Sequence, residues 1–111
     1  MVESLSPLDL SVIVPCFNEE LNIPELVQRI LDVLSVSQLR GELILVDDGS
    51  SDGTARVIRE QMRAHPEQVV GQFHTTNKGI TGAWRTGTMA ARANIVCVID
   101  ADLQYRPEDI L

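Results

Sequence analysis

At 111 residues the chain has room for one domain, and its 44% hydrophobic fraction is that of a packed core rather than a disordered tract. Nine Lys and Arg against sixteen Asp and Glu leave a net charge of −7. That balance argues against a general nucleic-acid binder and against a polybasic membrane anchor, and an anionic ligand would need a divalent cation as intermediary.

The pattern then alternates between two periods. Leu10 to Val14 is a short β-branched run that predicts a buried strand. Asn22 is placed to cap a helix with Pro24 in its first turn, and Leu26, Val27, Ile30, Leu31 and Leu34 recur at helical spacing up to Gly41. Glu42 to Val46 predicts a second strand, stopped by Asp47-Asp48-Gly49. Ser51 or Asp52 can cap a second helix running to about Ala64, with Val57, Ile58 and Met62 facing inward. Val69 to Phe73 predicts a weaker third strand, Thr81 to Ala91 a third helix, and Ile95 to Ile99 the clearest strand. Pro107 marks the first turn of a further helix, so the chain reads as a piece of a longer protein. Strand and helix alternate throughout, which predicts a doubly wound α/β sheet of parallel strands with helices on both faces.

Cys16 and Cys97 lie inside apolar runs and read as reduced, buried thiols of a reducing, cytoplasmic compartment. No run approaches the roughly 18 apolar residues of a membrane span. The N-terminus lacks the basic region and long apolar stretch of a secretory signal.

In an open parallel sheet, ligands sit outside the carboxyl ends of the strands. The polar residues collect there: Asn18-Glu19-Glu20 after the first strand, Asp47 to Asp52 after the second, Asp100-Ala101-Asp102 after the fourth. Asp100 and Asp102 project to one side of an extended segment, where two carboxylates repel unless a cation lies between them. Oxygen-only ligands suit Mg²⁺ or Mn²⁺ completed by substrate phosphates; the plain alternative is a cap for the helix at Pro107. Asp47 and Asp48 are more acid than a turn needs and can accept hydrogen bonds from a nucleotide ring N–H or ribose hydroxyls. Lys78, the only lysine, and Arg85 could meet a diphosphate or could be ordinary surface charge. His65 and His74 have no Cys or His partner at ligand spacing and read as structural or exposed. Trp84 is expected to pack against the sheet or a neighbour, and Phe17 to line a pocket or join the core.

Four strings, SVIVPCFNEE (11–20), VDDGSSDGT (46–54), NKGITGAWRTG (77–87) and DADLQYRPEDI (100–110), follow one another in the order found in family 2 glycosyltransferases of the GT-A fold. The chain resembles that family, most closely its polyprenyl-phosphate sugar synthase branch. The resemblance implies a single Rossmann-like donor-binding domain over residues 1–111, lacking the acceptor-binding half. It implies a nucleotide-sugar donor, a divalent Mg²⁺ or Mn²⁺ cofactor, and a lipid-phosphate or saccharide acceptor, with inverting transfer at the cytoplasmic face of a membrane.

Carried over residue by residue, Pro15, Phe17 and Glu19 would line the base and ribose pocket, with Phe17 standing where the family usually has Tyr. Asp48 would face the base, supported by Asp47. Asp100, Asp102 and Gln104 would hold the metal, and Lys78 and Arg85 would approach the diphosphate. Ile80 falls where that branch often has a basic residue. Any catalytic base lies beyond the chain end. A chain without its second half is expected to expose apolar surface around Ile95, Val96, Val98 and Ile99, to self-associate as a homodimer, and to bind nucleotide without turnover. A Mg²⁺-dependent phosphotransferase or receiver-like domain is a weaker reading, because Pro-Cys-Phe-Asn stands where such domains need acids after the first strand. No glycine-rich dinucleotide fingerprint follows that strand.

Overall fold

The computed structural model describes residues 8–101. Within them, strands and helices alternate: β1 (Leu10–Cys16), α1 (Ile23–Val36), β2 (Gly41–Asp48), α2 (Thr54–Ala64), β3 (Val69–His74), α3 (Gly79–Ala90) and β4 (Val96–Val98). All strand pairs are parallel and the sheet order is β3-β2-β1-β4. The chain steps outward from β1 to β3, then returns through α3 to the opposite side of β1. The point where that direction reverses, between β1 and β4, is where an α/β sheet opens a crevice.

Alternation along the strands sorts the side chains onto two faces. Val12, Val14 and Cys16 of β1 and Leu43 and Leu45 of β2 pack with α1 and α2 around Leu26, Ile30, Leu34 and Ile58. Ile13, Ile44 and Val46 face the other way and pack against Ala83 of α3. Gly87 brings α3 close to that face: a Cβ there would lie 2.4 Å from Ile13 Cγ2.

Two buried carboxylates at either end of β2 hold α3 on its face. Glu42, at the start, accepts hydrogen bonds from Ser11 Oγ (2.6 Å), the Arg92 backbone N–H (2.6 Å) and Arg92 Nε (3.0 Å), just past the helix C-terminus. Asp48, at the end, accepts from the backbone N–H groups of Lys78 (2.8 Å) and Gly79 (2.9 Å) at the helix N-terminus.

Pro15 sits in a central strand, where a missing N–H is normally costly. Here Ser11 donates to Ile95 and Ile13 accepts from Ile99. The same alternation puts the missing donor of Pro15 on the β4 side, one step beyond the last pair. The proline ends the β1–β4 ladder and lets the strands part.

Several element ends depart from expectation. The first helix stops at Val36, and the chain turns through Gln38 (φ 59°), so Gly41 opens β2 instead of ending the helix. Asn22 stands at the N-cap without a capping side-chain bond, because its amide donates to Glu19. Asp52 accepts from Thr54 N–H from one position before the Gly53 N-cap. The strand expected over Ile95 to Ile99 shortens to Val96–Val98, with both of those valines exposed. It lies at the sheet edge, paired to β1 alone among the described residues. Trp84 is 43% exposed rather than packed away. Cys16 is buried, but Cys97 is only half-buried. The helix expected from Pro107 falls outside the described residues.

Burial works against the charged forms of Glu42 and Asp48. The hydrogen bonds from Ser11 and Arg92 to Glu42, and from His74, Lys78 and Gly79 to Asp48, outweigh it and hold both carboxyls below their ordinary range. A carboxyl whose pKa is lowered on folding stabilises the fold above the unfolded value of about 4, and that contribution is lost as the pH falls through the folded value. Stability is therefore expected to be level near neutrality and to fall below about pH 4. Glu42→Ala should lower the unfolding free energy by about 2 kcal/mol in urea at pH 7 and flatten the acid limb; an unchanged midpoint would contradict the clamp.

Burial raises the Cys16 thiol pKa strongly, helped by the negative charges of Asp47 and Glu19, and burial alone raises that of Cys97. Under native conditions a thiol reagent is expected to modify Cys97 well before Cys16, with both reacting quickly in denaturant. Equal native rates would show that β1 is not closed over Cys16.

Candidate functional site

A cleft of about 360 Å³ opens at the carboxyl ends of the strands. Pro15, Cys16 and Phe17 line it from β1 and its exit, Asp48 from β2, Asp100 and Ala101 from beyond β4, Asn77 from the segment before α3, and Gly79, Ile80 and Ala83 from the start of α3; Glu19 closes one side. Phe17 and Ile80, 47% and 50% exposed, form an apolar rim.

Asp48 is the most constrained polar group in the cleft. Its Oδ1 accepts from Lys78 N–H and from His74 Nδ1 (2.8 Å), and its Oδ2 accepts from Gly79 N–H. A carboxylate offers about four lone-pair sites, so three donors leave room for about one more. The residue is 5% exposed, and its remaining acceptor capacity meets the cleft rather than bulk water. The arrangement suits a ligand that brings an N–H or O–H donor to a preformed anion.

The loops around the cleft are sewn together by short polar side chains. Asn18 (φ 54°) donates its N–H to Ser50 Oγ (2.9 Å), and its Oδ1 accepts from Ser51 N–H (2.9 Å). Glu19 N–H donates to Thr54 Oγ1 (2.9 Å), and Gly53 N–H donates to Glu20 (3.2 Å). Gly49 (φ 73°) lets β2 leave beside the 75–77 segment; a Cβ there would lie 2.5 Å from the carbonyl carbon of Thr76. No other residue type fits that left-handed, backbone-crowded position.

Of the residues singled out in the sequence, Pro15, Phe17, Glu19, Asp48 and Asp100 line one cleft. Asp47 does not: it points to the opposite face of β2, is buried, and accepts from Ser50 N–H (3.0 Å), a loop-holding role. Lys78 gives Asp48 its backbone N–H, while its side chain and that of Arg85 are exposed and outside the cleft lining. Asp102 and Gln104 lie outside the described residues. Among the described residues no three His, Cys, Asp or Glu side chains come together as a metal cage; Glu19, Asp48 and Asp100 are the carboxylates that line the cleft.

The sequence reading missed His74, whose partner is an aspartate and not another His or Cys. Its place opposite Asp48 comes from the parallel register of β2 and β3, which the sequence does not display. The sequence reading also left out Asn77, Gly79 and Ala83 as lining residues; Gly79, which opens α3 at φ 83°, is the one of these that a glycine at a helix start could have flagged.

The family described as Glycosyl transferase family 2 matches residues 11–111. The undecaprenyl-phosphate 4-deoxy-4-formamido-L-arabinose transferase of Aeromonas hydrophila is 36% identical over 101 residues, covering 91% of this chain and 31% of that enzyme. The chain thus spans about a third of the length of the curated relatives it matches. Among solved structures, the mannosyltransferase PcManGT from Pyrobaculum calidifontis, in complex with GDP-Man and Mn²⁺, superposes with a TM-score of 0.79 at 29% identity, covering 92% of this chain and 30% of that one. S. aureus TarS 1-349 with UDP-GlcNAc gives a TM-score of 0.71 at 29% identity over 86% of this chain and 27% of that one. The GT-A fold anticipated from the four strings is the fold shared with these enzymes. A match that begins one residue into β1 and runs through every described helix and strand to residue 111 carries the assignment: the chain belongs to glycosyl transferase family 2.

Proposed function

We propose that this chain is the donor-binding part of an inverting, metal-dependent glycosyltransferase that moves a sugar from a nucleotide-sugar to a polyprenyl phosphate. The observation that carries the reading is the meeting of Asp48 and Asp100 in one cleft at the reversal point of the sheet. The names of the relatives, which act on undecaprenyl phosphate, support the acceptor class. The nucleotide-sugars in complexes of the same fold support the donor class.

In this reading Asp48 accepts a hydrogen bond from the base or ribose. Pro15, Phe17 and Glu19 form the wall against which the nucleoside lies, and Asp47 holds the Ser50 turn behind them. Asp100 fits a hard divalent cation because the site offers oxygen ligands in an acidic chain. Asp102 and Gln104 would complete the set from this chain, with donor phosphates filling the rest. When bound, Mg²⁺ or Mn²⁺ supplies neutralisation of charge on the leaving diphosphate. The exposed side chains of Lys78 and Arg85 are within one helix of the cleft and would approach the diphosphate only on rearrangement. A phosphate acceptor is already ionised at pH 7, so none of these carboxylates needs to remove a proton. A lipid acceptor sets the reaction at a membrane surface, on its cytoplasmic side.

Titration of UDP and GDP with and without Mn²⁺ by calorimetry tests the reading. Asp102→Asn and Asp48→Asn should each weaken Mn²⁺-supported binding at least about tenfold, or roughly 1.4 kcal/mol. Affinity equal to the parent in Asp102→Asn would remove the metal assignment. The 111-residue chain is expected to transfer no sugar to a polyprenyl phosphate. It is also expected to self-associate through the exposed Val96, Val98 and Ile95. Light scattering that gives a clean monomer at micromolar concentration would refute the association, and measurable transfer would refute the division of labour.

A further inference from the structure

His74 does not line the cleft, yet both of its ring nitrogens are engaged behind it. It lies at the end of β3, directly opposite Asp48 in the parallel register, and its side chain is 6% exposed. Nδ1 lies 2.8 Å from Asp48 Oδ1 and Nε2 lies 2.7 Å from Thr86 Oγ1, about two turns into α3. A carboxylate can only accept, so Nδ1 carries the hydrogen and donates. In the neutral ring Nε2 is then the acceptor for the Thr86 hydroxyl. With both nitrogens engaged, the ring has one orientation.

The other two donors to Asp48, the N–H groups of Lys78 and Gly79, come from a single helical turn. By themselves they leave the carboxylate plane free to follow that turn. A third donor from a different element fixes the plane and ties it to the body of α3.

We propose that His74 is a positioning residue for nucleotide recognition: anchored by Thr86, it orients the Asp48 carboxylate toward the ligand in the cleft. The proposal rests on the donor-binding reading of Asp48 given above. It assigns no contact between His74 and the ligand. It differs from a purely structural role in one respect: what matters is a hydrogen-bond donor at the Nδ1 position, not the ring's bulk.

Three variants separate these. His74→Leu fills much of the space and removes both bonds. His74→Asn restores an N–H near the Nδ1 position but cannot reach Thr86. Thr86→Val keeps the helix surface and removes only the anchor, and it serves as the second probe should His74→Leu fail to fold. Two readouts are taken: the affinity for UDP and GDP with Mn²⁺, and the NMR resonances of the Lys78 and Gly79 amides without nucleotide. His74→Leu is expected to weaken binding about fivefold and shift both amides, with His74→Asn recovering most of each change and Thr86→Val lying between. Parent-like amides in His74→Leu, or a His74→Asn variant that is as weak as His74→Leu at equal thermal stability, would overturn the proposal. Parent protein that binds neither nucleotide would overturn the donor reading instead, and the amide shifts would still decide whether His74 holds Asp48.

Discussion

The placement of α3 depends on two buried carboxylates carried by one strand. Glu42 and Asp48 lie six residues apart on the same face of β2, about 20 Å at strand rise, and the 12 residues of α3 span about 18 Å. The helix therefore fits between them, with its N-terminal N–H groups on Asp48 and the segment past its C-terminus on Glu42. Ile44 and Val46 fill the interval. The negative end group at the helix N-terminus is the one favoured by the macrodipole. Every residue that α3 gives to the cleft, from Gly79 to Ala83, inherits its position from this arrangement. The closeness of Gly87 to Ile13 keeps the helix low enough for both carboxylates to reach it.

Pro15 acts at the other wall. By withholding an N–H toward β4, it ends the pairing where the cleft begins, so an imino acid in a buried strand is part of how the site opens. The two special backbone positions around it, Asn18 and Gly49, turn the chain away so that neither loop fills the opening. Asn18, Ser50, Ser51 and Thr54 then satisfy the backbone of both loops locally, which leaves Glu19 and Asp48 facing the cleft.

Much of this was legible in the sequence because strand and helix periods differ. The apolar runs in β1 and β2 and the 3.6-residue repeat in α1 were clear, and carboxylates clustered at the strand ends. Asp48 and Asp100 could be named from that clustering. What could not be read was orientation across strands. Asp47 and Asp48 are neighbours in sequence but point to opposite faces, and only the pairing register says which one meets the cleft. His74 was missed for the same reason, since its partner is 26 residues away. The apolarity of residues 95–99 made this the clearest strand in the sequence, yet it is short and lies at the edge of the described sheet. A short edge strand looks like a central one in sequence, because periodicity does not report how many neighbours a strand has.

The three-residue length of β4 makes the two sides of the cleft unequal in rigidity. Asp48 sits on a strand paired on both edges and is held by three donors. Asp100 follows a strand with one neighbour among the described residues, two exposed valines and a half-buried cysteine. Segments with few buried contacts open at low free-energy cost, and amide hydrogens there exchange early. The Asp48 wall of the cleft is thus fixed on three donors, while the wall that carries Asp100 hangs on a three-residue strand. A ligand gripped by both walls would lose part of its affinity to ordering the β4 side, and any contact that steadied β4 from outside would lessen that loss without touching the ligand.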